Sequence, residues 1–328
     1  MIAQIAGTGS YVPERRVDNK EIFASVHRDE AGIFRRTGIR ERRWADPRQA
    51  TSDLATEAGR AALASAGLAP SELEAIVLST TSPDMPFPST ACLVQKNLQA
   101  RKAFAFDVAA SCSGFLFALS AAEQFIRSGR SRNALVVAAE IKSRFLDLSD
   151  PNTAFLFGDG AGAVVLKASE GEPGILSIRL HTDGARHGLI TMPAGGSRNP
   201  TSESTIRRRE HFIRMKGASL FKAAVLGLTE VAHEILKAHG LRPSDIAQFV
   251  FHQANARILS AVLRRLAVPQ ERAVTILERY GNTSSASLPM ALDHLVKSGG
   301  VRNQDLLFFG AFGGGLNWGG ALVRWQAP

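Results

Sequence analysis

The sequence predicts a layered α/β protein built from two similar halves. An internal repeat, a set of wholly apolar strand candidates and an ordinary globular composition together carry that prediction. Residues 63–79, LASAGLAPSELEAIVLS, return 173 positions later as 236–252, LKAHGLRPSDIAQFVFH, so that Gly67, Leu68, Pro70 and Ser71 fall on Gly240, Leu241, Pro243 and Ser244. Ser128-Gly129 with Arg132-Asn133 recurs as Ser298-Gly299 with Arg302-Asn303, and Gly162-Ala163-Val164-Val165 resembles Gly320-Ala321-Leu322-Val323. Matches in the same order argue for two copies of one unit, residues 1–170 and 171–328. The strand candidates 75–79, 135–139, 248–252 and 306–310 are continuous apolar runs, the pattern of strands covered by helices on both faces. The 328 residues are 45% apolar and 21% charged, which sets aside disordered, collagen-like and coiled-coil classes.

Along the chain, the opening MIAQIAGTGSYVP lacks the basic segment and apolar run of a signal peptide, and two cysteines cannot form a disulfide framework, so a reducing cytoplasm is expected. The Arg-rich run 35–43 reads as surface. Residues 63–79 read as helix, glycine stop, turn and buried strand, and 236–252 read the same way. After the small-residue turn 109–114, the spacing of Phe115, Leu119, Ala122 and Ile126 predicts a helix. Residues 198–214, polar and without periodicity, read as an exposed loop. Residues 306–323 are apolar enough to resemble a membrane span, but six glycines and Asn317 divide them into two strands and a loop. No low-complexity linker separates the halves, so they are expected to pack as one body.

A net charge of +9 favours acidic partners. Nucleic acid is not expected. The densest basic segment, Arg207-Arg208-Arg209 with Arg214 and Lys216, follows no zinc-finger, RNA-recognition or helix-turn-helix pattern. The histidines show no metal-ligand spacing, so no metal is expected.

Candidate chemistry centres on Cys112. It stands at a predicted helix N-terminus, where free N–H groups and the helix dipole favour a thiolate; the alternative is a small buried filler. His252 ends a strand in His252-Gln253-Ala254-Asn255, where ligands of open α/β sheets bind. A shift of 170 carries Cys112 onto Asn282 in Gly281-Asn282-Thr283-Ser284-Ser285, so the repeat can bring Cys112, His252 and Asn282 to one pocket. Cys, His and an amide also occur in papain-like proteases. Strand-to-helix turns of a duplicated unit suit carbon–carbon bond formation better, with the thiolate holding an acyl group and two N–H donors stabilising an enolate. Gly313-Gly314-Gly315 is either an oxyanion hole or a tight turn. Cys92, in an apolar helix-like run, reads as structural.

At these residues the chain resembles the β-ketoacyl-[acyl-carrier-protein] synthase III family of the thiolase superfamily. The matching stretches are Thr37-Gly38-Ile39-Arg40-Glu41-Arg42, residues 109–115, Phe157-Gly158-Asp159-Gly160-Ala161-Gly162, His252-Gln253-Ala254-Asn255, Gly281-Asn282-Thr283-Ser284 and Phe312-Gly313-Gly314-Gly315. The resemblance implies a thiolase-like αβαβα fold, its first half carrying the nucleophilic Cys and its second the His and Asn. It implies an acyltransferase that moves an acyl group from acyl-CoA to Cys112 and condenses it, with loss of CO₂, with malonyl-[acyl-carrier-protein], initiating fatty acid synthesis without a cofactor. Gly314 would be the oxyanion residue. Phe87, in a Phe-Pro-Ser motif, would reach into the acyl pocket of a homodimer partner. Arg257, Arg264 and Arg265, on one face of the helix after His252, would dock the carrier protein.

Two departures bear on the substrates. Gly32 and Pro151 stand where many relatives clamp the CoA adenine between Trp and Arg; Arg36 remains, with Trp44 as a possible substitute. Lys142-Ser143-Arg144 replaces apolar or small residues near the acyl pocket. A surface loop is one explanation. Recognition of a dicarboxylyl starter such as glutaryl, for biotin synthesis, is the other. A thioester acyltransferase or a secondary-metabolite ketosynthase of the same fold are further alternatives.

Overall fold

The computed structural model describes residues 1–26, 30–171 and 174–326. One sheet runs in the order β1 (Ile2–Tyr11), β7 (Gly160–Ser169), β6 (Asn133–Glu140), β4 (Ala75–Ser79), β5 (Phe104–Val108). The other runs β8 (Ile175–Thr182), β13 (Asn317–Arg324), β12 (Leu306–Gly313), β11 (Gln248–Phe251). The pairings correspond: β4 is parallel to β6 as β11 is to β12, and β6 is antiparallel to β7 as β12 is to β13. Ile76 lies opposite Leu135 and Phe249 opposite Phe308, so the spacing of 173 read in the sequence holds in the ladder itself.

Helices make the remaining layers. α3 (Thr51–Ser65) and α4 (Thr90–Leu98) cover the outer face of the first sheet, α7 (Gly217–Ala238) and α8 (Ala256–Arg265) that of the second, and α5 (Gly114–Arg127) and α10 (Ser287–Lys297) lie between the sheets. The apolar runs are explained by this sandwich. Ala75 and Val77 face α5 while Ile76 and Leu78 face α3 and α4, and each parity of β6 is buried in the same way. Phe249 and Phe308 pack under α7 and α8, whereas Val250 and Phe309 join the central layer. Burying both faces removes any reason for polar alternation.

Peripheral pieces complete the fold: the ribbon β2 (Arg16–Asp18) with β3 (Glu41–Arg43), α1 (Asn19–Val26), α2 (Glu30–Thr37), the ribbon β9 (Ile190–Thr191) with β10 (Arg214–Met215), α6 (Glu203–Arg207) and α9 (Leu277–Tyr280). Two expectations fail here. Residues 198–214 are not plain loop: Ser202 caps α6, and Arg207, Arg208 and Arg209 are ion-paired to Glu203, Glu210 and Asp147. The basic cluster is thus largely neutralised locally. The run 35–43 is not all surface either. Arg42 is fully buried, donating to the Asn19 side chain at 2.8 Å and to the Phe155 carbonyl at 2.7 Å, and burial lowers its pKa to about 10. A guanidinium whose donors meet buried oxygens can replace an apolar core residue, which a count of charges does not reveal.

Candidate active site

Cys112 lies in the turn between β5 and α5. Ser111 before it holds φ +51°, a conformation uncommon for a residue with a Cβ, and Ser284 repeats this at φ +52° in the other half. These left-handed serines are 173 apart, so the counterpart of Cys112 is Ser285, and the sequence-based pairing of Cys112 with Asn282 is three residues off. The cause is a helix length. α5 has 14 residues and α10 has 11, which turns a spacing of 173 at their starts into 170 at their ends. Gly313, at the end of β12, backs directly onto the cysteine: a Cβ there would lie 2.6 Å from the Cys112 nitrogen. Any side chain at Gly313 would displace the nucleophile.

Burial pushes the Cys112 thiol above its ordinary pKa, against the hydrogen bond of Ser284 and the charge of Lys142. Burial thus works against the thiolate that the helix N-terminus favours. Cys112 Sγ lies 3.4 Å from Ser284 Oγ, which is also 3.2 Å from Glu140 Oε1.

His252 and Asn282 are oriented by serines. Ser287 Oγ accepts the Gln253 backbone N–H at 3.0 Å and lies 2.6 Å from His252 Nδ1. We assign the Ser287 proton to Nδ1, which puts the ring proton on Nε2. Burial holds the His252 pKa down at about 4, with a backbone hydrogen bond to Ser284 pulling the other way, so the ring is neutral at pH 7. Asn282 Oδ1 accepts the Ser284 N–H at 2.8 Å, which assigns the amide oxygen and leaves Nδ2 to donate. The backbone of Asn282 is bonded on both sides to strand-like residues, accepting from Gly158 and donating to Leu156, after a turn at Gly281 with φ +64°. The rest of the motif at 252–255 is scaffolding. Gln253 bonds the carbonyls of Phe251 and Val274 and the Ile276 N–H, and Asn255 caps α8.

Two cavities meet at Cys112. The larger, about 630 Å³, is lined by Cys112, His252, Asn282, Gly314, Arg36, Pro151, Asn152 and Arg257 among others. The smaller, about 140 Å³, contains Cys112, Lys142, Thr81, Phe145, Phe157, Met192 and Ser284. Gly314 sits in the β12–β13 turn and also lines the larger cavity, so the tight turn does not exclude a binding role.

The remaining candidates divide between cavity, core and surface. Lys142 is not on a surface loop; it is buried beside Cys112 and ion-paired to Glu140 at 3.1 Å. Arg144 takes no part in either cavity, because its guanidinium is spent on the carbonyls of Asp46, Pro47 and Gln49. Trp44 is buried with its indole N–H on the Phe157 carbonyl and is no adenine clamp. Gly32 lies in α2 and is not among the residues lining the cavity, whereas Pro151 is. Phe87 is 84% exposed. Cys92 is exposed on α4 rather than part of the core. Arg264 and Arg265 are exposed in the last turn of α8, beyond the cavity lining.

Sequence reasoning missed Glu140, Ser284 and Ser287. Glu140 was readable as the single acid closing the apolar run Ala134–Ala139; it is fully buried. Burial opposes its ionisation, but Lys142 and the hydroxyls of Ser82 and Ser285 outweigh that and keep the carboxyl below its ordinary value. Among the described residues, no group of three or more His, Cys, Asp or Glu is placed to hold a metal.

The chain as a whole is similar to known proteins. Models of the family 3-oxoacyl-[acyl-carrier-protein] synthase III match residues 106–184, and models of its C-terminal region match residues 236–325. The chain is 46% identical over 324 residues to the β-ketoacyl-[acyl-carrier-protein] synthase III of Caldanaerobacter subterraneus subsp. tengcongensis, covering 99% of this chain and 98% of that one. Its structure is similar to the 3-oxoacyl-[acyl-carrier-protein] synthase III of Aquifex aeolicus VF5, with a TM-score of 0.91 at 41% identity over 98% and 100% of the two chains. The enzyme of that name from Pseudomonas aeruginosa PAO1 gives a TM-score of 0.92 at 38% identity over 99% of each chain.

Proposed function

Because this chain belongs to the 3-oxoacyl-[acyl-carrier-protein] synthase III family, with its thiolase-like layered fold, we propose that Cys112 is the acyl acceptor of a decarboxylative condensation, with His252 and Asn282 as enolate donors. The protein is an acyltransferase of the β-ketoacyl synthase III type, initiating fatty acid synthesis. One observation carries the site assignment: Cys112 lies where two cavities join, and the larger also holds the two side chains whose free N–H groups are fixed by Ser287 and Ser284.

In the first half-reaction Cys112 Sγ attacks the acyl-CoA carbonyl, the bond to CoA sulfur breaks, and CoA leaves carrying the thiol's proton. The Gly314 N–H steadies the tetrahedral oxygen. In the second, malonyl-[acyl-carrier-protein] loses CO₂ by cleavage of its carboxyl C–C bond, and His252 Nε2–H with Asn282 Nδ2–H receives the charge left on the thioester oxygen. The resulting carbon nucleophile attacks the acyl-Cys112 carbonyl, the C–S bond breaks, and the thiol is regenerated on protonation. The larger cavity, which Arg36, Pro151 and Asn152 also line, would take the pantetheine arm. The smaller takes the acyl group. Mixing acetyl-CoA with carboxyl-labelled malonyl-[acyl-carrier-protein] should release labelled CO₂ and form a 3-oxoacyl-[acyl-carrier-protein]. Transfer to Cys112 without CO₂ release would instead mark a plain acyltransferase.

The acidic carrier protein fits the exposed face of α8. Arg257 is at the cavity mouth, with its guanidinium 5.9 Å from the Phe221 ring. Arg264 and Arg265 lie roughly 10 Å farther along the helix. Arg257→Glu should raise the KM for malonyl-[acyl-carrier-protein] about tenfold at low salt and much less at high salt, with the KM for acyl-CoA little changed. Steady-state kinetics with the carrier-protein substrate measure this, and an unaltered KM would remove the docking role.

A homodimer in the cytoplasm completes this reading. β5 is an edge strand with Phe104, 42% exposed, packed on Phe125 at 5.0 Å between ring centres, and edges of this kind are normally covered. Phe87 projects from the same half with nothing of its own chain over it, as a residue meant for a partner's pocket would. No described helix is long and apolar enough to cross a membrane.

A further inference from the structure

Resting on the assignment of the smaller cavity to the acyl group, we propose that Lys142 sets the length of the primer: its ammonium forms a fixed polar end wall that restricts Cys112 to short acyl groups.

The cavity is small, about 140 Å³, and five of the residues lining it are what an alkyl chain would choose: Phe145, Phe157, Ile190, Met192 and Ile213. Lys142 breaks that pattern. A long flexible side chain ordinarily swings its charge to water. This one is anchored, with Nζ 2.5 Å from Thr81 Oγ1 and 3.1 Å from Glu140 Oε2, and its side chain is 8% exposed. The anchor is itself immobile, since Glu140 is fully buried and also accepts from Ser82 Oγ at 2.6 Å and Ser285 Oγ at 2.8 Å. Withdrawing Lys142 would strand that carboxylate, so the wall does not open for a longer substrate.

An ammonium has three N–H donors, and two have partners here. A short acyl group leaves room for water at the third. A chain long enough to touch Nζ would displace that water and offer only C–H in return, leaving a buried donor unpaired. A terminal carboxylate on the substrate gains little by comparison. Glu140 already neutralises the ammonium, so a second carboxylate would enter beside a buried like charge. The dicarboxylyl starter suggested by the sequence therefore loses its physical basis.

The test is the rate of adduct formation on Cys112, read by mass, with acetyl-, hexanoyl-, octanoyl- and glutaryl-CoA presented singly. The wild-type protein should take acetyl readily and octanoyl poorly. Lys142→Met should raise the octanoyl-to-acetyl ratio about 10- to 100-fold, the factor associated with one unsatisfied buried donor. The paired variant Lys142→Met with Glu140→Gln keeps the site neutral and serves where the single change does not fold. An unchanged ratio in the folded variants overturns the proposal. So does wild-type protein that takes octanoyl as fast as acetyl, or that takes glutaryl in preference to acetyl. Failure of every ester to modify Cys112 would instead strike the acyl-acceptor assignment, which a flat chain-length profile leaves intact.

Discussion

Cys112→Ser should form no acyl adduct with any CoA ester that labels the wild-type protein, a loss of about 10³-fold or more, as when the nucleophile of an acyl-transfer site is removed. The hydroxyl is nearly isosteric, so its effect is chemical. Serine also tests how the thiol is activated. Burial drives the Cys112 pKa above its ordinary value, while Ser284 and Lys142 pull it back only partly. Since the thiolate attacks, the rate of wild-type alkylation by iodoacetamide should keep climbing with pH from 6 through 9. A plateau already reached at pH 6 would show a standing thiolate and would make the helix N-terminus the dominant influence after all. Persistence of a full acyl adduct in Cys112→Ser would remove Cys112 from the centre of the mechanism.

The duplicated architecture accounts for how a thiol and two N–H donors meet. Each half brings the end of a buried parallel strand and the following turn to the seam between the sheets. In the first half the strand ends at Ser79, and Gly114 faces it. In the second the equivalent positions, 173 residues on, are His252 and Ser287. A Cβ at Gly114 would lie 2.1 Å from Ser79 Oγ, so the first half keeps this spot tight. The second half opens it for an imidazole and supplies a hydroxyl to set its tautomer. On the proposed assignment the copies divide the work: one holds the nucleophile, the other the donors.

Much of this was legible in the sequence, and the exceptions have physical causes. The doubly covered strands declared themselves because apolar residues at both parities have no other economical use in a polar solvent. The repeat placed Cys112, His252 and Asn282 near one another, although its register slipped by the three residues by which α10 is shorter than α5. Pairing within a turn depends on backbone conformation, here the left-handed Ser111 and Ser284, and serine carries no sequence mark for that. Arg42 was read as a surface residue because charge usually means exposure, and for the same reason Lys142 was left between a surface loop and the acyl pocket. Their burial depends on Glu140, Asn19 and the Phe155 carbonyl, partners far away in the chain. Arg144, two residues from Lys142, went the other way, and only three-dimensional placement tells them apart.

His252→Ala and Asn282→Ala should each slow CO₂ release from malonyl-[acyl-carrier-protein] by about 10²–10³, the usual cost of removing one preorganised donor from a developing oxyanion. Acylation of Cys112 by acetyl-CoA should fall far less, because neither side chain is hydrogen-bonded to Sγ, whose nearest hydroxyl partner is Ser284. The pH dependence adds a separate check. With its pKa held down at about 4 by burial, His252 remains neutral as pH falls from 7 to 5, so decarboxylation by the pre-acylated enzyme should not show a limb near 6.5. Such a limb would mean that the ring is solvated in the working enzyme and charges during turnover. Ser287→Ala supplies the finer test, since it keeps the imidazole but releases Nδ1 from the hydroxyl that sets the Nε2–H tautomer. It should lower CO₂ release while leaving Cys112 acylation near the wild-type rate. Equal loss of both half-reactions in His252→Ala would show that the imidazole shapes the fold or activates the thiol, and the enolate would then depend on Asn282 alone.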